Sequence, residues 1–262
     1  MANIINIMTA AGAPLLMRII SSSVAVANRA ANIIRDIMKK GELGIVEKEG
    51  KHDLQTEADR SAQRCIVASL HKQFPNVPVI GEEDLDTQDL PADFLELSFD
   101  EDVLKCVCPD QYKDVKEEDI VIWVDPVDGT AEYTQGLLDH VTTLIGISVK
   151  GVAKAGAYGF ERKNPPQGQN IITTTRSHSD EIITQSVEAC KPTEILRVGG
   201  AGHKVLLLIE GKVHAYVFAS PGCKKWDTCA PEAILHTIGG KLTDMHEKCM
   251  KLQMVEKNEQ VT

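Results

Sequence analysis

The sequence predicts an α/β protein, a layered sandwich with an α+β first part and an α/β second part. Three observations carry that expectation. Residues 16–37 and 57–74 place apolar side chains at helical spacing. Residues 120–124, Ile-Val-Ile-Trp-Val, form an unbroken apolar run, the pattern of a strand buried on both faces. Beyond residue 170, short β-branched runs alternate with helical stretches, as strand–helix–strand units do.

Each element has its own signal. In the first helix Leu16, Ile19, Ile20, Ser23, Val26, Ala27, Ala30, Ile33, Ile34 and Ile37 recur at helical spacing, and Gly41 or Gly44 stops it. The second turns Ala58, Cys65, Ala68 and Leu70 inward, with Thr56 as its N-cap. Residues 77–80 form a short strand that runs into Gly81-Glu82-Glu83-Asp84. Residues 91–118 are an acidic, irregular excursion with a little helix. The strand at 120–124 ends at Asp125-Pro126, and 142–149 is another. Strands follow at 170–174, 195–198, 215–219 and 241–243, with helices at 179–190, 203–210 and 227–238. The Gly-, Asn- and Pro-rich stretch 151–168 is the expected seam, which divides the chain into 1–155 and 156–262.

Charge and composition exclude several functions. The chain has 262 residues and a net charge of −10. Clustered Lys and Arg, which a nucleic-acid backbone requires, are missing. Aromatics are only 4%, too few for base-stacking platforms. No apolar run approaches the ~20 residues of a membrane span. Seven cysteines at scattered spacing suit a reducing compartment, and with no signal-peptide pattern the expected location is cytoplasmic. The charge is also uneven. Residues 82–119 hold fifteen acids and three lysines, whereas 150–225 hold eleven basic residues and six acids. A solvated acidic loop accounts for the first; the alternative is acids that handle cations and a second half that handles an anion.

The chemistry concentrates in Trp123-Val124-Asp125-Pro126-Val127-Asp128-Gly129-Thr130. Two carboxylates three residues apart end a buried strand, and such oxygens suit Mg2+, a hard cation. Pro126 fixes one φ, and Gly129 lets the backbone approach a ligand. Thr130 opens a segment whose free N–H groups suit a phosphate oxygen. On spacing alone a turn with an Asp N-cap fits equally well. The aspartyl-nucleophile motif Asp-x-Asp-Gly-Thr does not fit, because its acids are two apart. Glu82, Asp227 and Asp53 each sit beside a strand end or helix start, where an acid is commonly a cap.

Taken together, Gly81-Glu82-Glu83, Asp125 to Thr130, and Trp226-Asp227-Thr228-Cys229-Ala230-Pro231-Glu232 resemble the inositol monophosphatase superfamily of lithium-sensitive, Mg2+-dependent phosphatases. Residues 42–48, 171–179, 197–202 and 219–227 resemble its branch that acts on bisphosphate nucleotides. The resemblance implies a sandwich of the inositol monophosphatase and fructose-1,6-bisphosphatase type with its site in a cleft. It implies Glu82, Asp125, Asp128, Asp227 and the carbonyl of Val127 as Mg2+ ligands. Asp53 and Thr130 would orient and deprotonate the attacking water. Gly129, Thr130, Thr175, His178, Gly200 and Lys204 would hold substrate. The implied reaction removes the 3′-phosphate of adenosine 3′,5′-bisphosphate, or of its sulfated relative, by metal-activated water. The alternatives are a non-catalytic nucleotide- or partner-binding scaffold and a phosphatase of inositol phosphates. The protein would act as a monomer or homodimer on a small molecule. Compared with the family, the segment between Val149 and Ile171 and the stretch after Asp244 are expected to be shorter. Ala131 and His203 stand where relatives often carry other polar residues.

Overall fold

The computed structural model describes residues 10–48, 53–85, 90–153, 161–177 and 179–246. Helix α1, Leu15–Lys40, buries Leu16, Ile19, Val26, Ala30 and Ile34 along one stripe. Gly41 ends it in the left-handed conformation, φ 76°, where its N–H caps the last turn. A two-residue ladder joins β1, Val46–Glu47, to β2, Leu54–Gln55. Helix α2, Glu57–Gln73, starts from Thr56 in a capping box closed by Asp59. Ala68 is half-buried, not fully inward.

The first sheet has the order β3-β4-β5-β6. Its strands are β3, Val79–Gly81, β4, Ile120–Asp128, β5, Thr142–Val149, and β6, Val152–Ala153. Strand β4 runs past Val124 to Asp128, and its register against β5 shifts between Asp125 and Asp128. That irregularity re-aims side chains at the strand's end. The excursion before it holds a short helix, α3, Glu101–Lys105, and 3-10 turns. Helix α4, Thr130–Thr134, follows β4 directly.

The second sheet has the order β8-β7-β9, all parallel, from β7, Ile171–Thr175, β8, Glu194–Val198, and β9, Ala215–Tyr216. Helix α5, Glu181–Ala189, is capped by Asp180, two residues later than expected. Helix α6, Ala201–Ile209, and helix α7, Lys225–Thr237, complete the described elements. The expected strand at 241–243 forms no ladder; those residues have no regular structure.

Packing stacks these elements in layers. Helices α1 and α2 cover one face of the first sheet, through Ile19, Ile66, Leu70, Ile122 and Ile147. Helix α7 covers the other through Trp123, Trp226, Cys229 and Ala233. Val205, Ile209 and Leu235 join α6 to α7. Ile171, Val198 and Leu207 seat α6 on the second sheet, whose opposite face takes Ile183 and Val187 of α5. The end of β4 meets the N-termini of α6 and α7 through Asp128 and Asp125. No helix among the described residues is long and apolar enough to cross a membrane.

Candidate active site

Carboxylates from both halves converge where β4 ends. Side-chain oxygens of Asp125, Asp128 and Asp227 all lie within 4.8 Å of one another. Asp125 and Asp128 come from β4, and Asp227 from the first turn of α7. Backbone N–H groups hold each in place. Val127 N–H donates to Asp125 at 3.1 Å, and Lys224 N–H donates to Asp227 at 2.5 Å. Asp128 accepts from Ala201 N–H at 2.6 Å, Gly202 N–H at 2.8 Å and the Thr142 hydroxyl at 2.6 Å. It thus caps α6 from across the cleft.

Crowding raises the proton affinity of the group. Burial pushes Asp227 up to about 8, and the charges of Glu82 and Asp128 add to it. Burial likewise holds Asp125 well above the ordinary carboxylate range, with Glu82, Asp128 and Asp227 contributing. Buried acids in such proximity are relieved by a proton or by a cation. All the donors are hard oxygens, so the residues fit a divalent cation of the Mg2+ or Ca2+ kind. Glu82 belongs to the rim of this group. Its N–H donates to Val124 O at 2.9 Å, and its carboxylate pairs with Lys48 at 2.9 Å. Burial raises it to about 7, against the opposing charge of Lys48.

Thr130 has a different partner from the expected Asp53. Its hydroxyl lies 3.0 Å from Asp59 Oδ1 and 2.9 Å from Val127 O, so one proton has two acceptors. Asp59 is fully buried, and its Oδ2 accepts from the backbone N–H and hydroxyl of Thr56. Burial raises its pKa, opposed by the Thr56 bonds. Asp53 instead stands half-exposed, 3.5 Å from Lys48. The capping box explains the difference. It draws Asp59, at the third position of α2, back over the helix start toward β4, while Asp53 lies outside on the approach to β2. The Thr-x-x-Asp spacing at 56–59 carries that signal in the sequence.

The second half supplies a glycine turn. Gly200 has φ 71°, and a Cβ there would stand 2.4 Å from His140 O. Gly129, φ 93°, would place its Cβ 3.0 Å from the same carbonyl. Both positions therefore require glycine. Lys204 is buried, with its ammonium 2.9 Å from Gly200 O and 5.2 Å from the centre of the Tyr216 ring. Thr175 is buried at the end of β7, in register with Val198 just before this turn. His178 lies outside the described residues. Lys48, Glu83 and Thr142 are neighbours of the site that spacing along one segment does not disclose.

The chain resembles known proteins in both sequence and fold. The sequence matches the inositol monophosphatase family over residues 16–160 and 160–261, two pieces that meet inside the expected seam. It is 51% identical to 3′(2′),5′-bisphosphate nucleotidase 1 of Homo sapiens, over 88% of this chain and 84% of that one. The enzyme of the same name from Dictyostelium discoideum is 35% identical over 87% and 85%. Among solved structures, an IMPase of Thermotoga maritima superposes with a TM-score of 0.62 at 20% identity, covering 88% of this chain and 87% of that one. An IMPase/NADP phosphatase complexed with Mg2+ and phosphate gives 0.62 at 17% identity, over 84% and 82%. On its motifs, its fold and these matches, the chain belongs to the inositol monophosphatase family.

Proposed function

We propose that this chain is a Mg2+-dependent phosphomonoesterase that removes the 3′-phosphate of adenosine 3′,5′-bisphosphate, leaving AMP, and acts likewise on 3′-phosphoadenylyl sulfate. The observation that carries it is the Thr130–Asp59 contact beside three clustered carboxylates. The nucleotidase relatives support the substrate, and a neighbour's Mg2+ supports the metal.

Asp125, Asp128, Asp227, Glu82 and the Val127 carbonyl would hold the cation. When bound, it supplies neutralisation of phosphoryl charge and a lowered pKa for water. This chain's own residues do the rest. Thr130 accepts a proton from the attacking water as its hydroxyl proton passes to Asp59 Oδ1, 3.0 Å away. A carboxylate with raised proton affinity in a buried setting suits that transfer. Gly129, Gly200, Thr175, His178 and Lys204 are assigned to the nucleotide, with the basic second half facing its other phosphate. The division into 1–155 and 156–262 then separates a cation-holding part from a nucleotide-holding part that returns Asp227. A cytoplasmic setting belongs to the same proposal.

The test is phosphate release from adenosine 3′,5′-bisphosphate with Mg2+, with and without chelator, beside an inositol monophosphate. Release that requires Mg2+ and prefers the nucleotide is expected. Calorimetric nucleotide binding without turnover would identify a non-catalytic scaffold instead. Faster release from the inositol phosphate would move the chain to the sibling specificity.

A further inference from the structure

His140 and His203 meet across the cleft. One precedes β5 and the other lies on α6, and their rings stack with centroids 4.7 Å apart and planes 25° from parallel. Both also hold one residue, Gly199. The N–H of Gly199 donates to His140 Nδ1 at 3.4 Å. The carbonyl of Gly199 lies 3.3 Å from His203 Nδ1, which serves as the donor. These bonds assign the tautomers: His140 keeps a lone pair on Nδ1 and His203 a proton there. The residue so gripped opens the turn in which the Ala201 and Gly202 N–H groups hold Asp128.

We propose that His140 and His203 are positioning residues: a stacked imidazole pair that seats the α6 N-terminus on Asp128 and releases it on protonation. A proton on His140 Nδ1 would face the Gly199 N–H, setting donor against donor. Two stacked imidazolium rings would also repel. The charges around His203 are His140, Lys204 on its own helix and Asp128 at the end of β4. Glu132 of α4 packs against Gly199, with Arg176 Nη1 4.0 Å from it. Burial lowers the pKa of His203, with His140 and Lys204 adding to that against the Gly199 carbonyl and Asp128. The neutral form of His203 is therefore favoured.

The pair's effect on catalysis rests on the phosphatase proposal, but its test does not. Amide exchange and histidine titration are followed by NMR on the whole chain, without substrate. Protection of the Ala201 and Gly202 amides should fall severalfold between about pH 8 and pH 5, the range in which imidazole changes charge. In His140→Asn/His203→Asn that pH dependence should disappear. In the single variant His140→Asn, His203 should titrate at higher pH than in the parent. Equal pH dependence in the double variant, or an unmoved His203 titration, overturns the proposal. The single variant retains the test if the double one does not fold. Should phosphate release be absent altogether, these readouts still stand.

Discussion

Two carboxylate clusters flank the end of β4, and they solve the same electrostatic problem differently. Around Lys48 stand Glu82 at 2.9 Å, Glu83 at 3.0 Å and Asp53 at 3.5 Å. Burial would lower the Lys48 pKa, but Glu82 and Glu83 outweigh it and hold the ammonium above its ordinary range. That cluster carries its own cation. The cluster of Asp125, Asp128 and Asp227 has backbone and hydroxyl donors but no side-chain cation in contact among the described groups. Lys204 lowers Asp227 only as a minor contribution. A protein that supplies one cation covalently and leaves the neighbouring acids to share charge has built a place for a cation from solution.

The largest effect expected of this contrast is in Asp128→Asn. It keeps the shape but removes charge where the cation is needed. Phosphate release should drop by about 10³-fold or more, the scale of losing preorganised charge stabilisation. Calorimetry should show weakened Mg2+ binding in parallel. If both survive, the two clusters do not differ in the way described. Next come Asp59→Asn and Thr130→Val, each expected to cost about 10²–10³-fold in kcat, within the usual range for proton transfer. Mg2+ affinity should be retained in both. Because the two residues act as a unit, the double variant should lose little more than either single one.

A smaller effect tests the crowded acids of both clusters by pH. Asp227 and Glu82, at about 8 and 7, and Asp125, raised as well, bind protons more tightly folded than unfolded. Their contribution to stability is complete at low pH and is lost as pH rises through those folded values. Metal-free protein should therefore melt at lower temperature at about pH 8 than at about pH 6.5. Within that window the His203 contribution, whose lowered pKa costs stability only on the acid side, has mostly finished changing. Mg2+ should raise the melting temperature more at the higher pH. A metal-free curve that rises across the window would show that the crowded acids are already neutralised.

Local signals in the sequence reached as far as local physics does. Thr142–Val149 begins and ends as a strand where expected, and Gly41 ends α1. Both depend on nearest neighbours along the chain. The end of β4 was less accessible, because Asp125 to Asp128 look like a turn until β5 pairs with them. The strand expected at 241–243 had the right pattern but pairs with no strand among the described residues. Ligand candidates could be named because the motifs around them resemble those of a known family; strand ends and helix starts alone fitted caps as well. Which acid meets Thr130 could not, since the contact closes 71 residues of chain and depends on how α2 packs against β4. The histidine pair was invisible for the same reason: only the meeting of β5 with α6 makes two separate residues one feature.

Asp53→Asn is the smallest effect and tests the assignment most sharply. Asp53 and Asp59 flank the same short segment, and either carboxylate could have been written into the mechanism from sequence. The structure gives Asp53 a half-exposed side chain and a shared lysine, so its ion pair is worth at most about 1 kcal/mol. It gives Asp59 full burial and the Thr130 hydroxyl. Asp53→Asn should therefore leave kcat within about twofold and stability within about 0.5 kcal/mol, the range of an ordinary surface change. Lys48 would keep Glu82 and Glu83 and hold the first cluster together. A loss in Asp53→Asn equal to that in Asp59→Asn would mean that the Lys48 cluster takes part in the proton transfer. The division between a self-neutralised and a cation-seeking cluster would then fail at its nearest point of contact.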